Sequence, residues 1–383
     1  MIGQRRRCLH SLAAAAMVLT MAGAGAANGR FPRAQYLKES ATDPSALVLS
    51  ATYGLLVTND RGKNWYLVCE SGLFGNQPDD GDWIDPFLEL TPAGQIFSGS
   101  NHAVRTSTDR ACSFSTVAGL PVDWRWYDRT KTSDKASVFD LSLEPVVGDN
   151  AVVALVSSLE PSGFEHRIFE SLDNGATWVP LGSKPIAAPI TQAATVDVDP
   201  TDPKRLYVTG RGQTSISIFA WSLDRGETWS SSEIPGTEDV DNSYIAAISP
   251  TDPNKIWVRS SRWLLDPDVG ADIGEDSLAY SSDAGKTWTE ILRKRAKLMG
   301  FALSPNGETV LAGYGDTNDP SGRHVDDADM GVYEASAGSA AFVKVFDASV
   351  TCLTWNKTGI YVCGSQDRDH FHLGFATNPS FAP

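Results

Sequence analysis

The sequence contains few of the residue patterns that announce catalysis by a nucleophile or by a metal ion. It holds five cysteines and six histidines among 383 residues. No C-x-x-C pair is present and no histidines stand at the helical spacing of a zinc site, so zinc is not predicted. No G-x-S-x-G occurs either, which excludes hydrolases built on a nucleophile elbow. We therefore assign no catalytic residue, no metal ligand and no cofactor from these patterns.

Long apolar runs and positive charge are also scarce. After residue 27, no stretch approaches the roughly 18 apolar residues that a membrane-spanning helix needs. Lysine and arginine number 32 against 47 aspartate and glutamate residues, a formal net charge of −15. Such a chain repels phosphate backbones, so nucleic acid is not predicted as a partner.

The N-terminus resembles a secretory signal. Three arginines at positions 5–7 precede a small-apolar run over residues 11–21, and A-x-A cleavage sites follow near Ala24 and Ala26. The arginines leave twin-arginine export open as an alternative route. Removal of residues 1–26 takes the formal net charge from −15 to −18. We predict an exported protein, secreted, periplasmic or at the cell surface, whose folded domain covers residues 30–383.

Export would leave four cysteines, an even number suited to an oxidising compartment. The segments 352–355 and 360–363 flank a four-residue hairpin loop, so counting outward from the loop pairs Cys352 with Cys363. By elimination, Cys69 would pair with Cys112.

What the sequence does have is a repeat, the box S-x-D-x-G-x-T-W. The three full copies place its residues at Ser171, Asp173, Gly175 and Trp178; at Ser222, Asp224, Gly226 and Trp229; and at Ser281, Asp283, Gly285 and Trp288. Decayed copies surround Asp60 and Asp109, and weaker ones lie at 336–342 and 377–381. From Asp60 to Asp283 the box aspartates recur every 49 to 64 residues. That period matches one four-stranded propeller blade.

The box has the chemistry of a turn. Its serine and aspartate can bond the backbone, its glycine can take positive φ, and its tryptophan opens the next strand with a large apolar body. A hairpin signal precedes each box, which makes seven hairpins. We predict an all-β protein with a single β-propeller of seven four-stranded blades. Three closures of blade seven stay open: a strand from residues 30–33, a three-stranded sheet, or a fragment of a longer chain.

On these boxes the chain resembles the Asp-box or BNR repeat proteins, which include sialidases, xyloglucanases, the sortilin ectodomain and a photosystem II assembly factor. The resemblance covers the chain from about residue 31 to its end. It implies blades of strands A to D, counted from the axis outward, with the box at each C–D turn. It leaves the function open, because the same box occurs in hydrolases, receptors and assembly factors.

The candidate site lies on the face opposite the boxes. Because strands alternate in direction, the B–C and D–A connections share this face, and the long segments 70–85, 119–136, 260–277 and 314–330 fall on it. Loops on a rigid scaffold commonly carry binding residues. The candidate binding residues are Asp82, Trp83, Asp85, Trp124, Trp126, Arg211, Arg262, Trp263, Asp266, Asp268, Arg323 and His324.

These residues allow several functions. We predict a monomeric, non-enzymatic binding or scaffold protein that holds a glycan, a peptide or an extracellular protein. The alternative is a secreted glycoside hydrolase, which would use two carboxylates beside sugar-stacking aromatics. A sialidase-like enzyme would need Arg211, Arg262 and Arg323 to converge on one substrate carboxylate. Calcium is a further alternative at residues 266–272 or 79–85, where carboxylates are closely spaced.

Overall fold

The repeat forms seven antiparallel sheets, each built from strands that are consecutive in the chain. The computed structural model describes residues 34–40, 43, 45–51, 54–69, 72–73, 87–91, 94–99, 104–120, 135–143, 151–160, 163–238, 240, 242–316, 323–364, 366–369, 371, 373–379 and 381. The predicted signal sequence lies outside the described residues. The seven-bladed propeller is confirmed.

The strands are numbered in chain order, and each blade is written from its inner to its outer strand. Blades one to three contain Ala34–Glu39 (β1), Leu47–Ala51 (β2), Gly54–Thr58 (β3), Tyr66–Cys69 (β4); Phe87–Leu90 (β5), Ile96–Gly99 (β6), Val104–Ser107 (β7), Ser115–Thr116 (β8); and Lys135–Leu143 (β9), Val152–Glu160 (β10), Gly163–Ser171 (β11), Val179–Leu181 (β12).

Blades four to seven contain Ile190–Asp199 (β13), Asp202–Gly212 (β14), Ser217–Ser222 (β15), Ser230–Glu233 (β16); Asn242–Ile248 (β17), Ile256–Asp266 (β18), Ala271–Ser281 (β19), Thr289–Lys294 (β20); Lys297–Leu303 (β21), Thr309–Gly315 (β22), Gly331–Ser336 (β23), Val343–Phe346 (β24); and Cys352–Trp355 (β25), Ile360–Cys363 (β26), Leu373–Ala376 (β27). Short helices lie between strands, among them a 3-10 helix at Asp327–Asp329 and an α-helix at Gln366–Asp369. No helix in the described part of the chain is long and apolar enough to span a bilayer.

The ring closes through packing between blades seven and one. Neighbouring inner strands contact one another all the way round, including β25 with β1. Leu47 and Leu49 of blade one share a core with Tyr361, Cys352 and Cys363 of blade seven. Of the three closures left open, the described residues show the three-stranded sheet, β25-β26-β27, while β1 pairs with β2 inside blade one.

One predicted disulfide is confirmed and the other is wrong. Cys352 and Cys363 are directly opposed on β25 and β26 and form a bridge, with their Cα atoms 4.8 Å apart. The predicted Cys69–Cys112 bridge is absent. Cys69 pairs with Gly54 at the end of β4 far from the box, whereas Cys112 lies within a box turn, so the two occupy opposite faces of the propeller. A bridge needs Cα atoms within about 7 Å. Pairing the two remaining cysteines by elimination takes no account of their distance.

The box residues bond one another as the turn chemistry predicts. In the first full copy, the hydroxyl of Ser171 donates to Asp173 at 2.8 Å and accepts from the backbone N–H of Gly175 at 2.7 Å. Asp173 also accepts from the backbone N–H and the hydroxyl of Thr177, at 2.8 and 2.6 Å. The other two full copies repeat these bonds. The conspicuous repeat is therefore a self-contained turn.

The box aromatic ring is a wedge between blades. In every box, full or decayed, this ring packs in the apolar cluster between its own blade and the preceding one. The seven rings are Trp65, Phe114, Trp178, Trp229, Trp288, Phe342 and Phe381. The decayed copies thus keep the packing role of the box even where its polar residues have changed.

We expect the box carboxylates to make stability fall steeply in acid. Hydrogen bonds from the neighbouring threonine side chain and backbone lower the pKa of Asp173 and Asp224 to about 2, against about 3.9 for an unfolded chain. Because the folded pKa is the lower one, the stabilisation is present above pH 4 and is lost as the pH falls from about 4 to 2. In the Asp173→Asn/Asp224→Asn variant, the denaturant midpoint should fall less steeply than in the native protein as the pH is lowered from 7 to 2. An unchanged slope would contradict the assignment.

Candidate functional site

The candidate face carries the D–A connections and the B–C hairpins, and the structure describes it best at blades five and six. Five of the predicted binding residues lie outside the described residues: Asp82, Trp83, Asp85, Trp124 and Trp126. The other seven are placed by the structure.

The segment 260–277 of blade five is a hairpin, whereas we predicted an insertion loop. β18 and β19 stay in register from Ile256 opposite Ser281 to Asp266 opposite Ala271, about twice the usual strand length. The inner strand β17 begins opposite Ser261, so the hairpin projects beyond the rest of the blade. The sequence favours a loop here because Pro267 and Gly270 interrupt the segment, carboxylates are frequent in it, and few of its residues are β-branched.

The connection in blade six lies along this hairpin. The backbone N–H of His324 donates to the carbonyl of Asp272 at 3.0 Å, and Gly274 donates back to the carbonyl of His324 at 2.8 Å. His324 and Ile273 form a parallel β-bridge. Predicted residues from two blades, Asp266 and His324, thereby come together: His324 Nε2 lies 3.7 Å from Asp266 Oδ2.

Carboxylates near the tip and near the base of the projecting hairpin are engaged by cations. Asp266 lies 2.6 Å from Arg295, and Glu275 contacts both Arg262 and Arg293. The backbone N–H of Asp268 and the Arg295 guanidinium hold the pKa of Asp266 below its usual value. Burial raises the pKa of Glu275, but the two guanidinium groups outweigh it and the net shift is downward. Both groups are therefore ionised at neutral pH.

The contacts described for the three predicted arginines are with three different partners. Arg262 contacts Glu275, Arg323 lies 3.5 Å from Asp272, and Arg211 donates to the hydroxyl of Ser215 at 3.0 Å. The convergence that a sialidase-like site requires is not formed by these contacts.

Trp263 is the predicted aromatic whose surroundings are best defined. Lys297 lies 4.6 Å and Arg323 4.9 Å from its ring centre, so the half-buried indole is a cation–π platform for two side chains of this protein. Asp268 is exposed at the tip of the hairpin, between Leu265 and Val269, which are also exposed. In the described part of the chain, no group of three or more His, Cys, Asp or Glu side chains is arranged to hold a metal ion.

A cavity on the propeller axis is a second candidate site that the sequence did not reveal. Its volume is about 450 Å³, within the usual range for small-molecule sites. Inner strands of six blades contribute to its wall, and its polar and aromatic lining includes Tyr36, Lys38, Glu89, Tyr244 and Arg259.

The cavity contains charges of both signs. Lys38 lies 2.8 Å from Glu89, bridging blades one and two. Burial raises the pKa of Glu89, and the nearby Lys38 offsets part of that rise. Arg259 donates to the carbonyl of Leu298 at 2.6 Å and stands 4.9 Å from the ring centre of Tyr244. Burial likewise raises the pKa of Tyr244.

Comparison with known proteins gives one family match. A family model for sortilin, neurotensin receptor 3 (Sortilin-Vps10), matches residues 166–336. Among curated proteins, the chain is 30% identical over 155 residues to a Neosartorya fischeri protein named "Probable oligoxyloglucan-reducing end-specific xyloglucanase", covering 38% of this chain and 17% of that protein.

Solved structures show the same fold at low identity. An ancestral GH74 enzyme superimposes with a TM-score of 0.55 at 13% identity, over 91% of this chain and 46% of that one. The extracellular domain of a hybrid two-component system from B. thetaiotaomicron gives 0.55 at 9% identity, over 91% and 38%. The chain thus spans less than half of each of these relatives. With the seven blades and their box turns, these likenesses confirm the resemblance to Asp-box repeat propellers.

Proposed function

We propose that this Asp-box propeller is an exported, non-enzymatic binding protein that holds a neutral glycan on the candidate face. The observation that carries the proposal is the pairing of the carboxylates there. Asp266 and Glu275 are each held by arginine, and the pKa of each is lowered. Glycoside hydrolysis needs a carboxylic acid that keeps its proton near neutral pH, the opposite of this arrangement.

The net charge and the similarity to known proteins support a neutral glycan as the partner. The formal net charge of −15 disfavours anionic sugars. One similar protein is named a xyloglucanase and one similar structure a GH74 enzyme. The disulfide Cys352–Cys363 and the similarity to an extracellular domain support export.

A second candidate, glycoside hydrolase activity, is favoured by one observation inside the axial cavity. Glu89 is a largely buried carboxyl group, with 15% of its side chain exposed, and its raised pKa suits a general acid. Asp197 lines the same cavity and would be the second carboxylate of such a pair. On this alternative, chemistry would occur at the axis and not at the hairpins of the candidate face.

Binding and turnover of the same sugars separate the two candidates. The protein is screened on an array of neutral and sialylated oligosaccharides, and the strongest neutral ligand is then incubated with it and assayed for new reducing ends. We expect binding without cleavage. Cleavage by the native protein that is lost in Glu89→Gln would establish the hydrolase. Binding of sialylated sugars alone, or of no sugar, would refute the proposal.

A further inference from the structure

The axial cavity has two layers of different chemistry. The inner strands run from the candidate face toward the face of the A–B turns, so Tyr36 lies nearer the candidate face than Lys38, by about 6–7 Å for two strand residues. Tyr244 stands at the upper level too, with Arg259 directly opposite it on β18. The Lys38–Glu89 ion pair lies deeper. A ligand entering from the candidate face would meet the two aromatic rings and Arg259 first and the ion pair second.

We propose that the axial cavity binds the end of a neutral glycan chain, with the ring of Tyr36 as its stacking platform. This inference rests on the proposed function and adds to it the place of binding and the part of the glycan that is recognised.

Tyr36 is unusually accessible for a residue of an inner strand. It keeps 45% of its surface exposed while lining the cavity, whereas its neighbour Leu37 keeps only 6%. An aromatic face that is open to a small-molecule cavity can cover the apolar face of a sugar ring at low entropic cost, because tyrosine has only two side-chain torsions.

The mixed charge favours an uncharged, polyhydroxylated ligand. Lys38 and Arg259 are cations, and Glu89 and Asp197 are anions, all in one cavity wall. A ligand of either net charge would meet repulsion from one of the two sets. Sugar hydroxyls both donate and accept, so they can satisfy both. A guanidinium has five N–H donors, and the bond from Arg259 to Leu298 uses one of them.

The closed ring of strands favours a chain end over an internal stretch. Neighbouring inner strands contact each other around the whole axis, including β25 with β1. A polymer therefore has no side opening through which to lie across the cavity at the depth of the ion pair. It can reach Lys38 and Glu89 only by inserting an end along the axis.

The test measures affinity by isothermal titration calorimetry for cellohexaose, maltoheptaose and a xyloglucan heptasaccharide. For the tightest of these, Tyr36→Ala should weaken binding about tenfold or more, as expected for a buried aromatic contact. Thr354→Trp, which fills the cavity from β25, should abolish it. Tyr66→Ala is the matched control, because Tyr66 is 40% exposed but lies on the outer strand β4. If Tyr36→Ala does not fold, Tyr36→Leu replaces it.

A competition experiment tests end recognition. At equal mass, the oligosaccharide should displace a labelled ligand far better than its parent polymer, which has few ends. Equal displacement by the polymer would overturn end recognition. Unchanged affinity in Tyr36→Ala and Thr354→Trp would place the glycan elsewhere on the candidate face and refute the cavity site while leaving the proposed function intact. Failure of every neutral oligosaccharide to bind the native protein would refute both.

Discussion

Replacing Lys297 by methionine is expected to destabilise the protein by about 3–5 kcal/mol, because it leaves the buried carboxylate of Asp276 unpaired. Lys297 opens β21 of blade six and Asp276 lies on β19 of blade five, with only 5% and 3% of their surfaces exposed. Their charged atoms are 2.6 Å apart. Asp276 also accepts the backbone N–H of Leu298 at 2.8 Å. Methionine fills a similar volume but leaves the carboxylate without a cation.

The double variant Lys297→Met/Asp276→Asn should recover most of the loss. Asparagine removes the unpaired charge, and its carbonyl can still accept the N–H of Leu298. Replacing a buried ion pair by neutral residues often changes the free energy of unfolding very little. Lys255→Met is the control, since Lys255 and Asp252 form a half-exposed pair at 3.9 Å whose loss should cost less than about 1 kcal/mol. Urea unfolding of the native protein, the two Lys297→Met variants and Lys255→Met measures these differences in stability. A Lys297→Met cost as small as that of Lys255→Met would show that the buried pair is solvated.

The architecture was predictable because its signals are local. A box needs eight residues to close its own hydrogen bonds, so Asp173 and Gly175 reveal the turn without knowledge of any other blade. The Cys352–Cys363 bridge is also local, since a four-residue loop sets the register of its hairpin. Counting boxes then gives the number of blades, and the blade number leaves only the closure open.

The candidate site was predictable only as a face. Strand direction places Trp263, Asp266 and Arg323 on it, but their partners come from the neighbouring blade or from the next connection. The course of the connection after β20 determines that Arg295 holds Asp266, and no spacing within the strands of blade five contains that information. The same limit explains why three arginines on successive blades looked convergent and instead contact separate groups.

The axial cavity was missed for a related reason. Tyr36 and Tyr244 lie on short inner strands, each directly before a branched aliphatic residue, Leu37 or Ile245, and a pattern of this kind is typical of core positions. Whether an inner-strand residue faces the preceding blade, the following blade or the axis depends on how seven strands close into a ring. The sequence signal that could have indicated the cavity is the presence of charged residues, Lys38, Glu89 and Arg259, on strands that would otherwise be buried. Charged side chains are rarely buried without a partner.

Replacing the box ring Trp178 by alanine is expected to cost about 3–5 kcal/mol of stability, the usual range for a buried aromatic side chain. Trp178 is 8% exposed and packs in the core between blades two and three with Phe97 and Val152, while its indole N–H donates to the carbonyl of Gly175 at 3.1 Å.

The same box supplies the control. Leu172→Ala should change stability by less than about 0.5 kcal/mol, because Leu172 is 58% exposed. Trp178→Phe should lie between the two, since the decayed boxes use phenylalanine at the same wedge position, as Phe114 does between blades one and two. Chemical denaturation of the three variants measures the order. If Trp178→Ala were as mild as Leu172→Ala, the box would stabilise its own turn without contributing to the packing between blades. The repeated tryptophan would then mark each blade but not hold it to the preceding one.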